Sequence, residues 1–125
     1  MTEKSQIYKC AVCGNIVEVL HSGVGELVCC GQPTGLLEEK AKEQEGREKH
    51  VPVVVKTEKG VVIKIGEMPH PMDTNHFIEW IEVNTEKGSY RKYLSPGTNP
   101  SADFEISEEV KSVRAYCNVH GLWKS

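Results

Sequence analysis

Beyond residue 50 the chain alternates short β-branched runs with turn residues. Residues 51–56 and 61–65 flank Glu58-Lys59-Gly60, which predicts a hairpin. Residues 76–83 predict a longer strand with partial alternation, closed by Thr85-Glu86-Lys87-Gly88. Three further strands are expected over 89–94, 102–106 and 110–116, with the Pro- and Gly-bearing stretch 95–101 as a long turn. Roughly six or seven short strands separated by frequent turns predict an all-β sandwich. The front of the chain differs. Short strands are expected over 7–9 and 16–20, Gly23-Val24-Gly25 suits a turn, and 26–28 leads into Cys29-Cys30-Gly31. Between the two lies 38–49, almost wholly charged, read as a solvated joint. The expected organisation is a metal module over 1–37, a charged linker over 38–49 and a sandwich domain over 50–125. Trp80, Trp123, Phe77 and Phe104 are expected in the core or lining a site, with the core favoured.

Composition narrows the function classes. The chain has 125 residues, 38% apolar and 26% charged, with net charge −3. Residues 1–37, 38–49 and 50–125 each carry −1, so no segment has the clustered positive charge of a nucleic-acid binder. No apolar run reaches the roughly eighteen residues a membrane span needs. Residues 1–6 lack the apolar centre of a secretory signal, so the expected compartment is the cytoplasm. There thiols stay reduced, and cysteine clusters hold metal more often than they form disulfides. Five cysteines also rule out complete internal pairing. A module of fewer than about 40 residues buries too little surface to fold unaided and needs such a staple.

Two sets of donors follow. Cys10 and Cys13 form a C-x2-C knuckle followed by Gly14, and the adjacent pair Cys29 and Cys30 completes four thiols. Four thiolates favour tetrahedral zinc or iron, between which the spacing does not choose. Adjacent cysteines project differently, so a strained tetrahedron is expected. The second set centres on Cys117-Asn118-Val119-His120, where a thiolate and an imidazole can reach one ion from a single turn. His50, His70 and His76 bring it to five donors. Structural zinc closes its shell with four ligands, whereas five on an octahedral ion leave one place for a small molecule. His21, beside Ser22-Gly23, reads as a turn residue. From residues alone this is a two-metal redox protein. The competing readings are an electron-transfer protein working through the four-cysteine centre, and a zinc ribbon, which would want two C-x2-C knuckles.

Taken together, Cys10-x-x-Cys13, Cys29-Cys30, Glu48-Lys49-His50-Val51-Pro52, His70-Pro71-Met72, His76 and Cys117-Asn118-x-His120-Gly121-x-Trp123 resemble the desulfoferrodoxin family, the two-iron form of superoxide reductase. The likeness runs from about Ile7 to Trp123. The resemblance implies a desulforedoxin-like module in which Cys10, Cys13, Cys29 and Cys30 hold a rubredoxin-like iron. It implies an immunoglobulin-like sandwich in which His50, His70, His76 and His120 surround a second iron in one plane, with Cys117 as axial ligand opposite an open place. Glu48 would bind at that place in the ferric resting state, and Lys49 would sit nearby as a positive charge. The implied activity is one-electron reduction of superoxide to hydrogen peroxide, with re-reduction by an external donor such as rubredoxin. An axial thiolate that pushes electron density onto iron would favour peroxide release. The alternative kept beside it is a rubredoxin-like electron-transfer protein without superoxide turnover. The family also implies a homodimer whose front modules contribute to the interface.

Overall fold

A computed structural model describes residues 1–125, and its contacts divide them into two units, Met1–Glu38 and Glu39–Ser125. The first unit is built on three very short strands. β1 (Ile7–Lys9) pairs antiparallel with β2 (Ile16–Glu18) on one side and, past a ribbon of β3 (Val28–Cys29) and β4 (Gln32–Pro33), with β5 (Gly35–Leu36) on the other. Its buried apolar residues are few, Ile7, Cys10 and Val19. That interior is too small to outweigh the conformational entropy of ordering the module. The Thr2 hydroxyl accepts the Gly23 N–H at 2.9 Å, closing the N-terminus onto the loop of the twenties.

The second unit is an antiparallel, immunoglobulin-like sandwich. It opens with a single helical turn, α1 (Arg47–His50), followed by β6 (Pro52–Lys56), β7 (Val61–Ile65), β8 (Ile78–Asn84), β9 (Ser89–Tyr93), β10 (Ser101–Phe104), β11 (Ser112–Cys117) and β12 (Gly121–Lys124). One sheet has the order β10-β7-β6, the other β12-β11-β8-β9. The β-branched runs fold as pleated strands because alternate residues can be buried between the layers. Val61, Ile63, Ile65, Ala102 and Phe104 from one sheet meet Ile78, Ile81, Val83, Val113, Ala115 and Cys117 from the other. The β8–β11 ladder carries one irregularity: Tyr116 faces Trp80 but Cys117 faces Ile78, leaving Glu79 as an extra residue on β8.

The other face of the β8 sheet is polar at its centre. Glu82, fully buried, accepts hydrogen bonds from Arg114 Nε at 2.7 Å, Arg114 Nη2 at 3.0 Å and Asn84 Nδ2 at 2.9 Å, and pairs also with Arg91. Arg114 reaches Glu39 at 3.0 Å with its remaining arm. Trp80 stacks on Tyr116 with ring centroids 6.0 Å apart, and the Arg91 guanidinium lies 4.6 Å from the Trp80 ring. Within the charged stretch, Lys40 is tied to β12: its N–H donates to the Leu122 carbonyl at 2.9 Å and its own carbonyl accepts from Lys124 N–H at 2.8 Å.

Candidate metal centres

In the first unit the sulfurs of Cys10, Cys13, Cys29 and Cys30 gather within 4.8 Å of one another. The knuckle turns its backbone toward them. Val12 and Cys13 N–H groups donate to Cys10 Sγ at 3.4 and 3.5 Å, and Asn15 N–H donates to Cys13 Sγ at 3.5 Å. The adjacent pair converges because Cys30 adopts a left-handed backbone, φ 53°, which turns its side chain back beside that of Cys29. Cys13 and Cys29 sulfurs lie 3.6 Å apart, Cys29 and Cys30 sulfurs 3.9 Å. A tetrahedral ion with bonds of about 2.3 Å would set sulfurs about 3.8 Å apart, so the four fit one metal. All five cysteines of the chain are free thiols. The Cys13 N–H, with the Val12 N–H and the Cys13 and Cys29 sulfurs, outweighs the opposing effect of burial and holds the Cys10 thiol down to about 6. Competition with the Cys13 and Cys29 sulfurs pushes Cys30 up to about 12. Four anionic sulfurs at these separations repel, and a cation among them removes the conflict.

The second group is drawn from four separate stretches of the sandwich unit. His50 ends α1, His70 and His76 lie in the loop before β8, Cys117 ends β11, and His120 closes the turn into β12. Their donor atoms lie within 4.8 Å of one another. The four imidazoles form a closed cycle, each edge-on to the next. Ring centroids are 4.7 Å apart for His50–His70, 4.8 Å for His70–His76, 4.9 Å for His76–His120 and 4.8 Å for His120–His50. Cys117 rises from the buried core, and its sulfur accepts the His120 N–H at 3.3 Å.

Proton positions decide what this cycle can bind. His50 Nδ1 donates to the Gly46 carbonyl at 2.8 Å and His70 Nδ1 to the Pro71 carbonyl at 2.6 Å. A carbonyl only accepts, so both rings carry their proton at Nδ1 and present a bare Nε2. Burial, partly offset by that carbonyl, pushes His70 down to about 4, and burial lowers His50 and His120 as well. All three are therefore uncharged at neutral pH. Yet His50 Nε2 lies 3.1 Å from His70 Nε2 and 3.1 Å from His120 Nδ1, and His76 Nε2 is buried without any partner. Two facing lone pairs make no hydrogen bond. A cation at their centre satisfies all of them, and the carbonyls behind the His50 and His70 rings suit such a role. Burial raises the Cys117 thiol, opposed by N–H groups of His120 and Val119.

Glu48 and Lys49 are not brought into this group; both side chains are exposed on α1, in the same helical turn as His50 and two and one residues ahead of it. Other residues surround the ligands without any signal in the spacing. Trp123 stacks on His50 with centroids 4.6 Å apart and planes 16° apart, and its Nε1 donates to the His120 carbonyl at 3.1 Å. Lys40 Nζ donates to the same carbonyl at 2.9 Å and lies over the Trp123 ring. A Trp next to the last ligand motif was the one available hint; Lys40 looked like linker charge.

Two family models match the chain: desulfoferrodoxin over residues 42–125, and the desulfoferrodoxin N-terminal domain over residues 2–37. A desulfoferrodoxin homolog of Archaeoglobus fulgidus is 54% identical over 125 residues, spanning 100% of this chain and 99% of that protein. A superoxide reductase of Thermococcus kodakarensis is 32% identical over 97 residues, spanning 62% of this chain and 84% of its own. Among solved structures, the superoxide reductase from Treponema pallidum shares the fold with a TM-score of 0.80 at 24% identity, covering 100% of this chain and 99% of that one. With family models and full-length relatives agreeing on both units, the chain belongs to the desulfoferrodoxin family.

Proposed function

We propose that this protein is a two-iron superoxide reductase, taking superoxide to hydrogen peroxide: O2•− + e− + 2H+ → H2O2. The observation that carries the reading is the closed cycle of four imidazoles with a buried thiol beside it, a donor set richer than structural zinc uses and suited to a redox ion. Iron at this centre, when bound in the ferrous state, supplies the single electron.

The chain does the rest. The Gly46 and Pro71 carbonyls hold His50 and His70 with Nε2 directed inward. The His120 N–H holds the Cys117 sulfur, whose thiolate donates electron density and so favours product release. Lys49 is the proposed attractor of the anion. A positive charge beside the site concentrates superoxide and raises its on-rate. Glu48, on the same helical turn, is the proposed carboxylate that would bind iron of this centre in its ferric resting state. Cys10, Cys13, Cys29 and Cys30 would hold the front module's iron as a rubredoxin-like centre. We further propose a rubredoxin-type donor, a homodimer and a cytoplasmic setting; no helix is long and apolar enough to cross a membrane.

Superoxide consumption by pulse radiolysis, with iron quantified on protein purified without added metal, tests the reading. Two irons per chain, with peroxide formed, no oxygen evolved and one donor electron spent per superoxide, is the expected result. Zinc in place of iron, or two irons that cycle without consuming superoxide, overturns it; the latter would leave an electron-transfer protein.

A further inference from the structure

The four imidazoles are not held alike. His50 and His70 each have a carbonyl behind Nδ1, and the His120 carbonyl is pinned by Lys40 and Trp123. The His76 ring makes no hydrogen bond, and its Nε2 is buried and bare. Its position therefore depends on its backbone. The backbone of 73–76 closes on itself, Asp73 N–H to His76 carbonyl at 2.9 Å and His76 N–H to Asp73 carbonyl at 3.1 Å. That turn is then docked by one side chain. Asn118 Oδ1 accepts the Phe77 N–H at 2.9 Å, and Asn118 Nδ2 donates to the Asn75 carbonyl at 3.0 Å. The Asn118 N–H adds a bond to the Phe77 carbonyl at 3.2 Å. These contacts bracket His76 on both sides, and they come from the residue bonded to Cys117.

We propose that Asn118 is a positioning residue that fixes His76 relative to Cys117, and so sets how tightly the second centre binds a divalent cation. The chemistry requires an amide. One backbone group needs an acceptor and the other a donor, and the side chain must offer both from a single short stem. Aspartate would set a carboxylate against the Asn75 carbonyl, and alanine would make neither bond. A ligand whose supporting partner is lost typically binds metal about 10- to 100-fold more weakly. The inference rests on His76 being a ligand, and the test separates the two claims.

The experiment is a Co2+ titration of the metal-free full chain, followed by the sulfur-to-cobalt charge-transfer band of the second centre. The four-sulfur cobalt bands of the front module serve as an internal reference. Five proteins are compared: wild type, Asn118→Ala, Asn118→Asp, His76→Ala and the variant combining Asn118→Ala with His76→Ala. Asn118→Ala is expected to weaken cobalt binding at the second centre about tenfold while leaving the front module unchanged. The same change made in His76→Ala is expected to cost nothing further, because Asn118 acts through that ring. Asn118→Asp is expected to weaken binding at least as much as Asn118→Ala, a readout that survives should the alanine variant fold poorly. Wild-type affinity in Asn118→Ala, or an equal loss with and without His76, overturns the proposal. Wild-type affinity in His76→Ala removes His76 as a ligand and takes the proposal with it.

Discussion

Removing the Glu82 carboxylate should destabilise the sandwich more than any change outside its apolar core. Glu82 is fully buried and directly opposite Arg114 and Arg91 in the ladder. Its two oxygens accept from Arg114 twice, from Arg91 and from Asn84. In Glu82→Ala, Arg114 and Arg91 both lose the buried carboxylate they pair with, so guanidinium charge at the centre of the sheet loses its counter-charge. Breaking one partner out of a buried pair costs about 3–5 kcal/mol. For a domain of this size each kcal/mol lowers Tm by about 4–8 °C, so a fall of at least about 12 °C is expected. The consequence reaches function because β8 starts just after His76 and β11 ends at Cys117. Urea and thermal unfolding of metal-free protein, followed by Trp80 fluorescence, read the loss without ion release entering. The pH dependence supplies a second check. Burial alone would raise the Glu82 carboxyl, but the hydrogen bonds from Arg114 and Asn84 and the charges of Arg114 and Arg91 win, holding it below its ordinary value of 4.5. A folded-state value below the unfolded one stabilises fully above the unfolded value and is lost as pH falls through the folded one. The gap between wild type and Glu82→Ala should therefore be full above about pH 4.5 and narrow below it. A loss under about 1 kcal/mol, flat with pH, would refute the reasoning.

Three other outcomes are expected. Gly66→Ala would place a Cβ 2.4 Å from the Met68 carbonyl oxygen and 2.7 Å from Lys49 backbone atoms, at a φ of +85°. It should cost more than the roughly 1–2 kcal/mol of a left-handed residue and lower metal per chain at the second centre by displacing His50, as denaturation and metal analysis would show. Lys49→Ala should slow the bimolecular reaction with superoxide about tenfold and flatten its salt dependence with iron still bound, and an unchanged rate in pulse radiolysis removes Lys49 from the mechanism. Cys117→Ser should abolish the sulfur-to-iron charge-transfer band of the second centre; a surviving band would place a different sulfur on the metal.

The strands of the sandwich were legible because β-branched runs bounded by Gly, Pro and charged turns leave little else to form. β12 was not, since Gly121–Lys124 is four residues long, follows a turn and has no repeat to read. The two donor sets were legible from residue type and order, the second chiefly through the family likeness. The arrangement that makes them work was not. The carbonyls of Gly46 and Pro71 belong to the backbone and leave no trace in side-chain identity. Cys30, beside Cys29 in the four-sulfur group, takes a left-handed backbone, φ 53°, which its residue type does not announce. Glu82 and Arg114 are 32 positions apart, and only the strand register makes them partners. Glu48 and Lys49 came from the likeness, and exposed side chains on α1 are what the chain offers them.

The extra residue Glu79 sets which way the first residue of β8 faces where it meets Cys117. On β8 the odd-numbered Ile81 and Val83 point between the layers, while even-numbered Trp80 and Glu82 point away. Past Glu79 the parity inverts, and Ile78 points inward opposite Cys117. His76 lies two residues ahead of this strand, in the turn closed by Asp73. Excising Glu79 would restore an uninterrupted alternation and turn Ile78 away from the layer it shares with Cys117, with every donor residue still present in the chain.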